Sequence, residues 1–137
     1  MPGDDERGMN CSMASGLPPS WSRWIALAGV LMLAAIAVAT LIPAAWQIRL
    51  GLHWLVEHFL AYFAVTSIFC LAWPRPLVVA AVLLPVAILL EAAQGLTPDR
   101  VSDPATALFA ATGVATAALL ADLILALGKR AGMRRKA

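Results

Sequence analysis

Two pairs of polar side chains interrupt a chain that is otherwise strongly apolar, and both pairs have residue types that bind ligands or transfer protons. His58 lies four residues before Tyr62, and Glu91 lies three residues before Gln94. At these spacings the two members of each pair share one face of a helix. The other polar residues of the same regions are His53, Glu57, Arg100 and Asp103.

These residue types support a short list of chemistries. An imidazole beside a carboxyl group performs acid-base catalysis when burial brings the two pKa values near neutrality, which makes His58 and Glu91 the candidate catalytic residues. An arginine such as Arg100 holds a carboxylate or another anion by paired hydrogen bonds. The sequence has no nucleophile elbow, phosphate-binding glycine loop or Cys-x-x-Cys pair. Catalysis is therefore the weaker hypothesis, and no cofactor is predicted.

A metal site is also not predicted. The polar residues include imidazole and carboxylate groups, which are ligands for zinc. Their spacing, His53-x-x-x-Glu57-His58, differs from the H-E-x-x-H pattern of zinc enzymes.

The composition indicates whether the segments that carry these residues lie in water or in a membrane. Hydrophobic residues make up 61 % of the 137 residues, against about 45–50 % in soluble domains. Between Ile25 and Pro98 the only charged residues are Arg49, Glu57, Arg75 and Glu91. A soluble helical bundle places charges along the outer face of every helix. We therefore exclude a soluble fold and predict an all-α membrane protein.

The apolar stretches predict four transmembrane helices, each long enough for the roughly 20 residues that a membrane span needs. Their expected limits are about residues 24–46, 54–73, 77–95 and 104–128. Together they form one membrane domain over residues 21–128. Residues 1–20 are polar and rich in glycine, proline and serine, which predicts a disordered tail, and residues 129–137 form a basic tail.

Helix-breaking residues mark the predicted boundaries. Pro74-Arg75-Pro76 predicts a tight turn between the second and third helices. Pro85 should kink the third helix and release the carbonyl of Ala81, and Gly95 suits its C-terminal cap. Asp103-Pro104 combines an N-cap carboxylate with proline at the first helical position.

The sequence leaves two features of the N-terminal region open: the start site, and whether the first apolar stretch is cleaved. Met9 and Met13 are alternative start sites to Met1. The first apolar stretch is longer than the apolar core of a signal peptide, so we expect a retained helix, with cleavage after Ala44-Ala45 as the alternative.

Tryptophans and basic residues place the helices in the membrane. The tryptophans lie at the predicted helix ends, as expected for indole rings in the headgroup layer: Trp21, Trp24, Trp46, Trp54 and Trp73. With four spans, eight Lys and Arg residues share the side of the two termini, and Arg49 and Arg100 lie on the other side. The positive-inside rule therefore predicts that both termini are cytoplasmic.

This topology brings the polar residues of three helices to one membrane face. The second and fourth helices would begin there and the third would end there. Ionisable groups in a membrane are costly unless they pair, reach water or face the bundle interior. Two explanations stay open: a hydrogen-bonding network that only fixes the bundle, and a network that also binds a ligand.

Three features lie outside this cluster. Asp122 is expected near the cytoplasmic end of the fourth helix, where it can pair with Lys129 or Arg130 or reach the headgroups. Gly113, Ala117 and Ala121 form a face of small residues that permits close helix packing, either within the bundle or in a homo-oligomer. Cys11 and Cys70 lie in a polar tail and an apolar helix, which argues against a disulfide between them.

The polar segments resemble the VanZ-like family of small bacterial membrane proteins. The matching pieces follow a His-Phe-x-Ala-Tyr, Glu-x-x-Gln and Arg-x-x-Asp pattern, carried here by residues 58–62, by residues 91–94, and by Arg100 with Asp103. The resemblance covers roughly residues 50–115. Two departures from the family pattern involve three positions: Trp54-Leu55 stands where an Asp-Lys pair is common, and Ala107 stands where asparagine is common.

The resemblance implies a four-helix integral membrane protein of the cell envelope, and in some family members a link to low-level resistance to the glycopeptide antibiotic teicoplanin. It supplies no reaction. The candidate ligand-binding residues are Glu57, His58, Tyr62, Glu91, Gln94, Arg100 and Asp103.

Three functional hypotheses follow. The first is binding of an envelope lipid, a cell-wall precursor or a glycopeptide antibiotic at the polar face. The second is an enzyme that acts on a lipid-linked substrate with His58 as general base. The third is a small proton-coupled transporter. The expected partners are membrane lipids and this ligand, a homo-oligomer is left open, and no nucleic acid is expected.

Overall fold

The described part of the chain is entirely helical between its turns. The computed structural model describes residues 19–42, 51–96 and 103–134. Four α-helices lie in these ranges: α1 (Pro19–Leu41), α2 (Trp54–Ala72), α3 (Pro76–Gln94) and α4 (Pro104–Arg134). All four are long and apolar enough to cross a membrane. The predicted all-α class with four candidate spans is confirmed, and the side on which the termini lie stays a prediction.

The limits of α1 differ from the predicted 24–46. The helix begins at Pro19 and ends at Leu41, so Pro19 and Ser20, which belong to the predicted tail, are helical. Proline is favourable in the first turn because its φ is already helical. At the other end, Pro43 disfavours the helical conformation of Ile42, where the chain bends. The predicted remainder up to Trp46 and the tail up to residue 18 lie outside the described residues.

The turn between α2 and α3 has the predicted position. α2 ends at Ala72 and α3 begins at Pro76. The N–H of Trp73 donates to the carbonyl of Phe69 at 2.8 Å, and the N–H of Arg75 donates to the carbonyl of Trp73 at 2.7 Å. Prolines on both sides of Arg75 shorten the connection because neither can continue the preceding helix.

α3 is a continuous helix through Pro85 and ends with Gly95 as its C-cap. Gly95 caps in the right-handed conformation, with φ of −64°, so its role here does not depend on the left-handed freedom of glycine. Its N–H donates to the carbonyl of Ala92 at 3.2 Å, and the N–H of Leu96 donates to the carbonyl of Ala93 at 3.1 Å.

α4 is longer than the predicted 104–128 and continues to Arg134. Gly128 does not end it because glycine in a helix only weakens the helix, and no proline follows. Lys129 and Arg130 lie near the C-terminal end of α4, where positive charge is favourable to the helix dipole. The first six residues of the predicted basic tail, 129–134, are thus part of α4, and residues 135–137 lie outside the description.

The helices pack as a bundle in which the α2–α3 hairpin contacts both α1 and α4. α4 packs against both α2 and α3, and α1 packs against the same two helices; in the described residues α1 and α4 do not pack together. The core contains large apolar side chains from three helices, among them Val65, Phe69, Leu83 and Val114. Many large apolar residues face outward, as expected for a surface in contact with lipid: Leu31, Leu71, Leu89, Leu119 and Ile124.

The tryptophans of the described residues lie at helix ends. Trp21 and Trp24 are in the first turns of α1, Trp54 is the first residue of α2, and Trp73 is its C-cap. All four are exposed at the bundle surface, the position expected for indole rings in the headgroup layer. Trp46 lies outside the described residues.

α2 and α4 cross closely at Gly113. A Cβ atom on Gly113 would lie 2.5 Å from the backbone oxygen of Phe59 and 3.1 Å from the backbone nitrogen of Phe63. Ala117, one turn further, is also buried. Gly113 therefore packs against the backbone of α2, and Ala117 is buried within the bundle.

We expect Gly113→Ala to destabilise the protein by about 1–3 kcal/mol, because the added methyl group meets backbone atoms that cannot rotate away. Gly128→Ala is the matched control in the same helix, since nothing lies within 4 Å of a Cβ there. It should be neutral or stabilise the helix by about 0.5–1 kcal/mol. The free energy of unfolding in detergent micelles measures both changes. Equal stability of the two variants would contradict the close crossing.

Candidate functional site

The start of α2, the end of α3 and the start of α4 lie at the same end of the bundle. The crossing of Gly113 with the backbone between Phe59 and Phe63 pairs the first half of α4 with the first half of α2. Glu91, near the end of α3, contacts Asp103 at the start of α4. The predicted convergence of polar residues from three helices is therefore present for the residues that the structure describes.

Glu91 connects α3 to α4. Its Oε1 atom accepts a hydrogen bond from the backbone N–H of Asp103 at 3.4 Å, and only 5 % of the residue is exposed. A buried carboxyl group is costly in an apolar environment without hydrogen-bond donors. The free N–H groups at a helix N-terminus are such donors. Glu91 thus receives part of its stabilisation from α4.

Asp103 holds the first turn of α4. Its Oδ1 atom accepts a hydrogen bond from the N–H of Ala105 at 2.9 Å, and its carbonyl accepts from the N–H groups of Thr106 and Ala107. Pro104 occupies the first helical position, where its missing N–H costs no helical bond. The predicted N-cap is confirmed.

Tyr62 and Gln94 are two further predicted site residues, and both are buried. Tyr62 is 2 % exposed and belongs to the same buried core as Ala87, which lies one turn before Glu91. Gln94, in the last turn of α3, is also buried. We name Tyr62, Glu91, Gln94 and Asp103, together with Thr106 described below, the polar cluster.

His58 lies one turn before Tyr62 and is half-buried. Its Nδ1 atom is 2.9 Å from the carbonyl oxygen of Trp54. Since a carbonyl only accepts, this contact makes Nδ1 the protonated nitrogen and leaves Nε2 as the acceptor of a neutral ring. The Trp54 indole contacts the imidazole edge-on, with ring centroids 5.9 Å apart.

The remaining polar residues expected at this face include His53, which is not a predicted ligand-binding residue, and Glu57 and Arg100, which are. His53 is exposed and precedes α2 without a side-chain cap bond. Glu57 is half-buried in the first turn of α2. Arg100 lies outside the described residues, so its predicted role as an anion ligand stays a prediction.

The sequence analysis missed Thr106, a fully buried residue in the first turn of α4. Its exposure is 0 %, and its hydroxyl oxygen is buried with no hydrogen-bond partner in the described part of the chain. The other described threonines each donate to a carbonyl three or four residues earlier on their own helix. Thr106 is only three residues past the N-cap, so the carbonyl four residues back belongs to Ser102, which precedes the helix.

An unpartnered buried hydroxyl costs about 1–3 kcal/mol. The sequence contains a signal that could have identified Thr106. It lies three residues after the predicted N-cap, which places it on the same helix face as Asp103.

The remaining reactive groups do not join the polar cluster. Cys70 is a buried free thiol near the end of α2, and Cys11 lies outside the described residues. Asp122 is exposed near the other end of the bundle. In the ranges that the structure covers, no group of three His, Cys, Asp or Glu residues is arranged to hold a metal ion.

No protein-family model, curated protein or solved structure matches the chain. The resemblance to the VanZ-like family therefore stays a prediction carried by the residues quoted above.

Replacing the N-cap tests the attachment of α4 to the site. Asp103→Ala should destabilise the protein by about 1 kcal/mol, because the first-turn N–H of Ala105 loses its acceptor. Asp103→Asn keeps an oxygen acceptor and should cost only a few tenths of that amount. Thermal unfolding of the purified variants in one detergent gives the comparison. If Asp103→Ala unfolds like the wild type, Asp103 is not the cap.

Proposed function

We propose that the protein is a VanZ-like integral membrane protein of the bacterial cell envelope, and that the polar cluster binds the head of an envelope lipid, a cell-wall precursor or a glycopeptide antibiotic. The observation that carries the proposal is the burial of polar groups from three helices at one end of the bundle. Tyr62, Glu91 and Thr106 are each at most 5 % exposed. Ionisable and polar groups at membrane depth are expensive to bury, and they mark functional sites by default.

The depth of the polar cluster suits a ligand that lies in the membrane with its polar end at the surface. Trp54 begins α2 at this end of the bundle, and tryptophan marks the headgroup layer. Glu91 and Gln94 lie in the last turns of α3 and Asp103 immediately precedes α4. The cluster is therefore near the boundary between headgroups and hydrocarbon.

The proposed orientation exposes this end of the bundle to the cell exterior. It follows from the excess of Lys and Arg on the side of the two termini, eight against two. An envelope lipid, a cell-wall precursor and an antibiotic are all encountered at that face.

Each side chain has a proposed role. Arg100 binds an anionic group by paired hydrogen bonds. His58 and Gln94 are hydrogen-bond partners of the ligand, and Glu57 and Tyr62 line the same region. Glu91 and Asp103 orient the other groups, which agrees with the hydrogen bond between them.

A second candidate function is supported by the geometry of His58. Because Nδ1 binds the carbonyl of Trp54, Nε2 is available to accept a proton, as a general base requires. In this alternative the protein is an enzyme that acts on a lipid-linked substrate. A bell-shaped pH–rate profile that is lost in His58→Ala would support it, and a purified protein inert toward envelope lipids would contradict it.

The binding function predicts a phenotype that is separable from folding. His58→Ala and Glu91→Gln should each change the tolerance of the expressing strain to teicoplanin and weaken ligand binding about tenfold, the effect of losing one hydrogen bond to a charged group. Membrane abundance, measured by immunoblotting, should not fall. His53→Ala is the matched control, since His53 is exposed and makes no side-chain cap bond. Unchanged tolerance in both variants at normal abundance would contradict the proposed site.

A further inference from the structure

We infer that the C-terminal part of α4 projects beyond the other helices and binds the headgroups of anionic phospholipids. We name residues 126–134, the last part of α4, the basic extension. It lies at the opposite end of the bundle from the polar cluster, so this interaction surface is additional to the proposed function and does not depend on it.

The position of the close crossing shows how far α4 projects. Gly113 packs between Phe59 and Phe63, at the level of about residue 61 of α2, and both helices begin at the same end of the bundle. α2 continues from that level to Ala72, which corresponds to about residue 124 of α4. Since α4 continues to Arg134, it extends roughly 15 Å further, at 1.5 Å per residue.

The exposure of α4 agrees with this projection. The buried residues of the helix end with Ala117 and Ala118, and from residue 126 to residue 132 every residue is exposed. Nothing in the described part of the chain lies within 4 Å of a Cβ atom placed on Gly128 or Gly132. The basic extension therefore has no helix of the described bundle packed against it.

Trp73 gives the depth of the basic extension in the membrane. Trp73 is the C-cap of α2 and is 62 % exposed, as expected for an indole ring at the boundary of the headgroup layer. Lys129 lies about four residues beyond the level of Trp73, or roughly 6 Å along the helix. The headgroup layer is about 5–7 Å thick on each side of the hydrocarbon core. Lys129 and Arg130, both exposed, are thus placed among the phosphate groups.

The charge of this region is complementary to an anionic headgroup. No acidic residue follows Asp122 in the sequence, whereas five basic residues do: Lys129, Arg130, Arg134, Arg135 and Lys136. Asp122 precedes Lys129 by seven residues, and neighbouring side chains on a helix are only three or four residues apart. The basic extension therefore has no countercharge on its own face of α4. Anionic lipids attract such a cluster, and each basic residue near the membrane surface adds to the attraction.

The chain contains one other acidic segment on the predicted side of the termini, Asp4-Asp5-Glu6, which lies outside the described residues. An anionic headgroup is the favoured partner because the depth of Lys129 already places it in the headgroup layer. A polar tail would have to lose conformational entropy in order to occupy the same surface.

A lipid titration tests the inference. Full-length protein in non-ionic detergent micelles is titrated separately with phosphatidylglycerol and with phosphatidylcholine of the same acyl chains. Native mass spectrometry gives the dissociation constant of the first bound lipid. We expect phosphatidylglycerol to bind at least about fivefold more tightly, the preference expected from one basic residue near an anionic group. The preference should fall as the ionic strength rises, because exposed charges are screened.

Variants of Lys129 and Arg130 locate the binding surface. The double variant Lys129→Gln/Arg130→Gln should lose at least about fivefold in phosphatidylglycerol affinity and keep its phosphatidylcholine affinity. Lys129→Arg/Arg130→Lys is the matched control, since it keeps both charges at the same positions, and it should bind like the wild type. Both residues are exposed, so thermal unfolding in lipid-free micelles should be the same for all three proteins.

A third variant separates the lipid from the acidic tail as the partner. Asp4→Asn/Asp5→Asn/Glu6→Gln should leave the phosphatidylglycerol affinity within about twofold of the wild-type value. If a preference for phosphatidylglycerol appears only in this variant, the tail occupies the basic extension and the inference is wrong.

Two further results would overturn the inference. One is equal affinity of the wild-type protein for the two lipids, and the other is an unchanged phosphatidylglycerol affinity in Lys129→Gln/Arg130→Gln. The proposed function is judged separately by the tolerance of His58→Ala and Glu91→Gln strains, whose substitutions lie at the other end of the bundle. Either proposal can therefore fail while the other stands.

Discussion

The burial of a carboxyl group in a membrane bundle is the constraint on which the arrangement depends. Glu91 is 5 % exposed, and hydrocarbon offers it no hydrogen-bond donor. The structure supplies one from the N-terminus of α4, through the N–H of Asp103. Asp103 in turn caps α4 with its own side chain. The end of α3 and the start of α4 are thus held together by the requirement that polar groups be satisfied.

Close packing against α4 brings α2 into the region where α3 and α4 meet. Gly113 lets the two backbones approach to a distance that any side chain would prevent. Tyr62, which lies within the stretch of α2 that contacts Gly113, is consequently buried in the core. Tyr62 of α2 and Ala87 of α3, which lies one turn before Glu91, belong to the same buried core, and α2 packs against α3 as well. A glycine without chemistry of its own therefore allows the close packing of α2 and α4 beside the polar cluster.

Local signals predicted the elements well, because hydrophobic length, proline and an N-cap act through short-range physics. The turn at Pro74-Arg75-Pro76 and the cap at Asp103 are examples. The end of α1 was misplaced because Pro43 acts on the residue before it, and α4 was ended too early at Gly128. The partner of Gly113 and the orphaned hydroxyl of Thr106 depend on which helices touch, which spacing along one helix does not determine.

A double-mutant cycle between Tyr62 and Glu91 tests most directly whether polar groups of different helices meet in one cluster. The free energy of unfolding in micelles is measured for the wild type, Tyr62→Phe, Glu91→Gln and the double variant. We predict a coupling energy of at least about 0.5 kcal/mol, as expected for residues in one buried network. Additive effects, within about 0.3 kcal/mol, would show that the two side chains do not interact and would contradict the polar cluster.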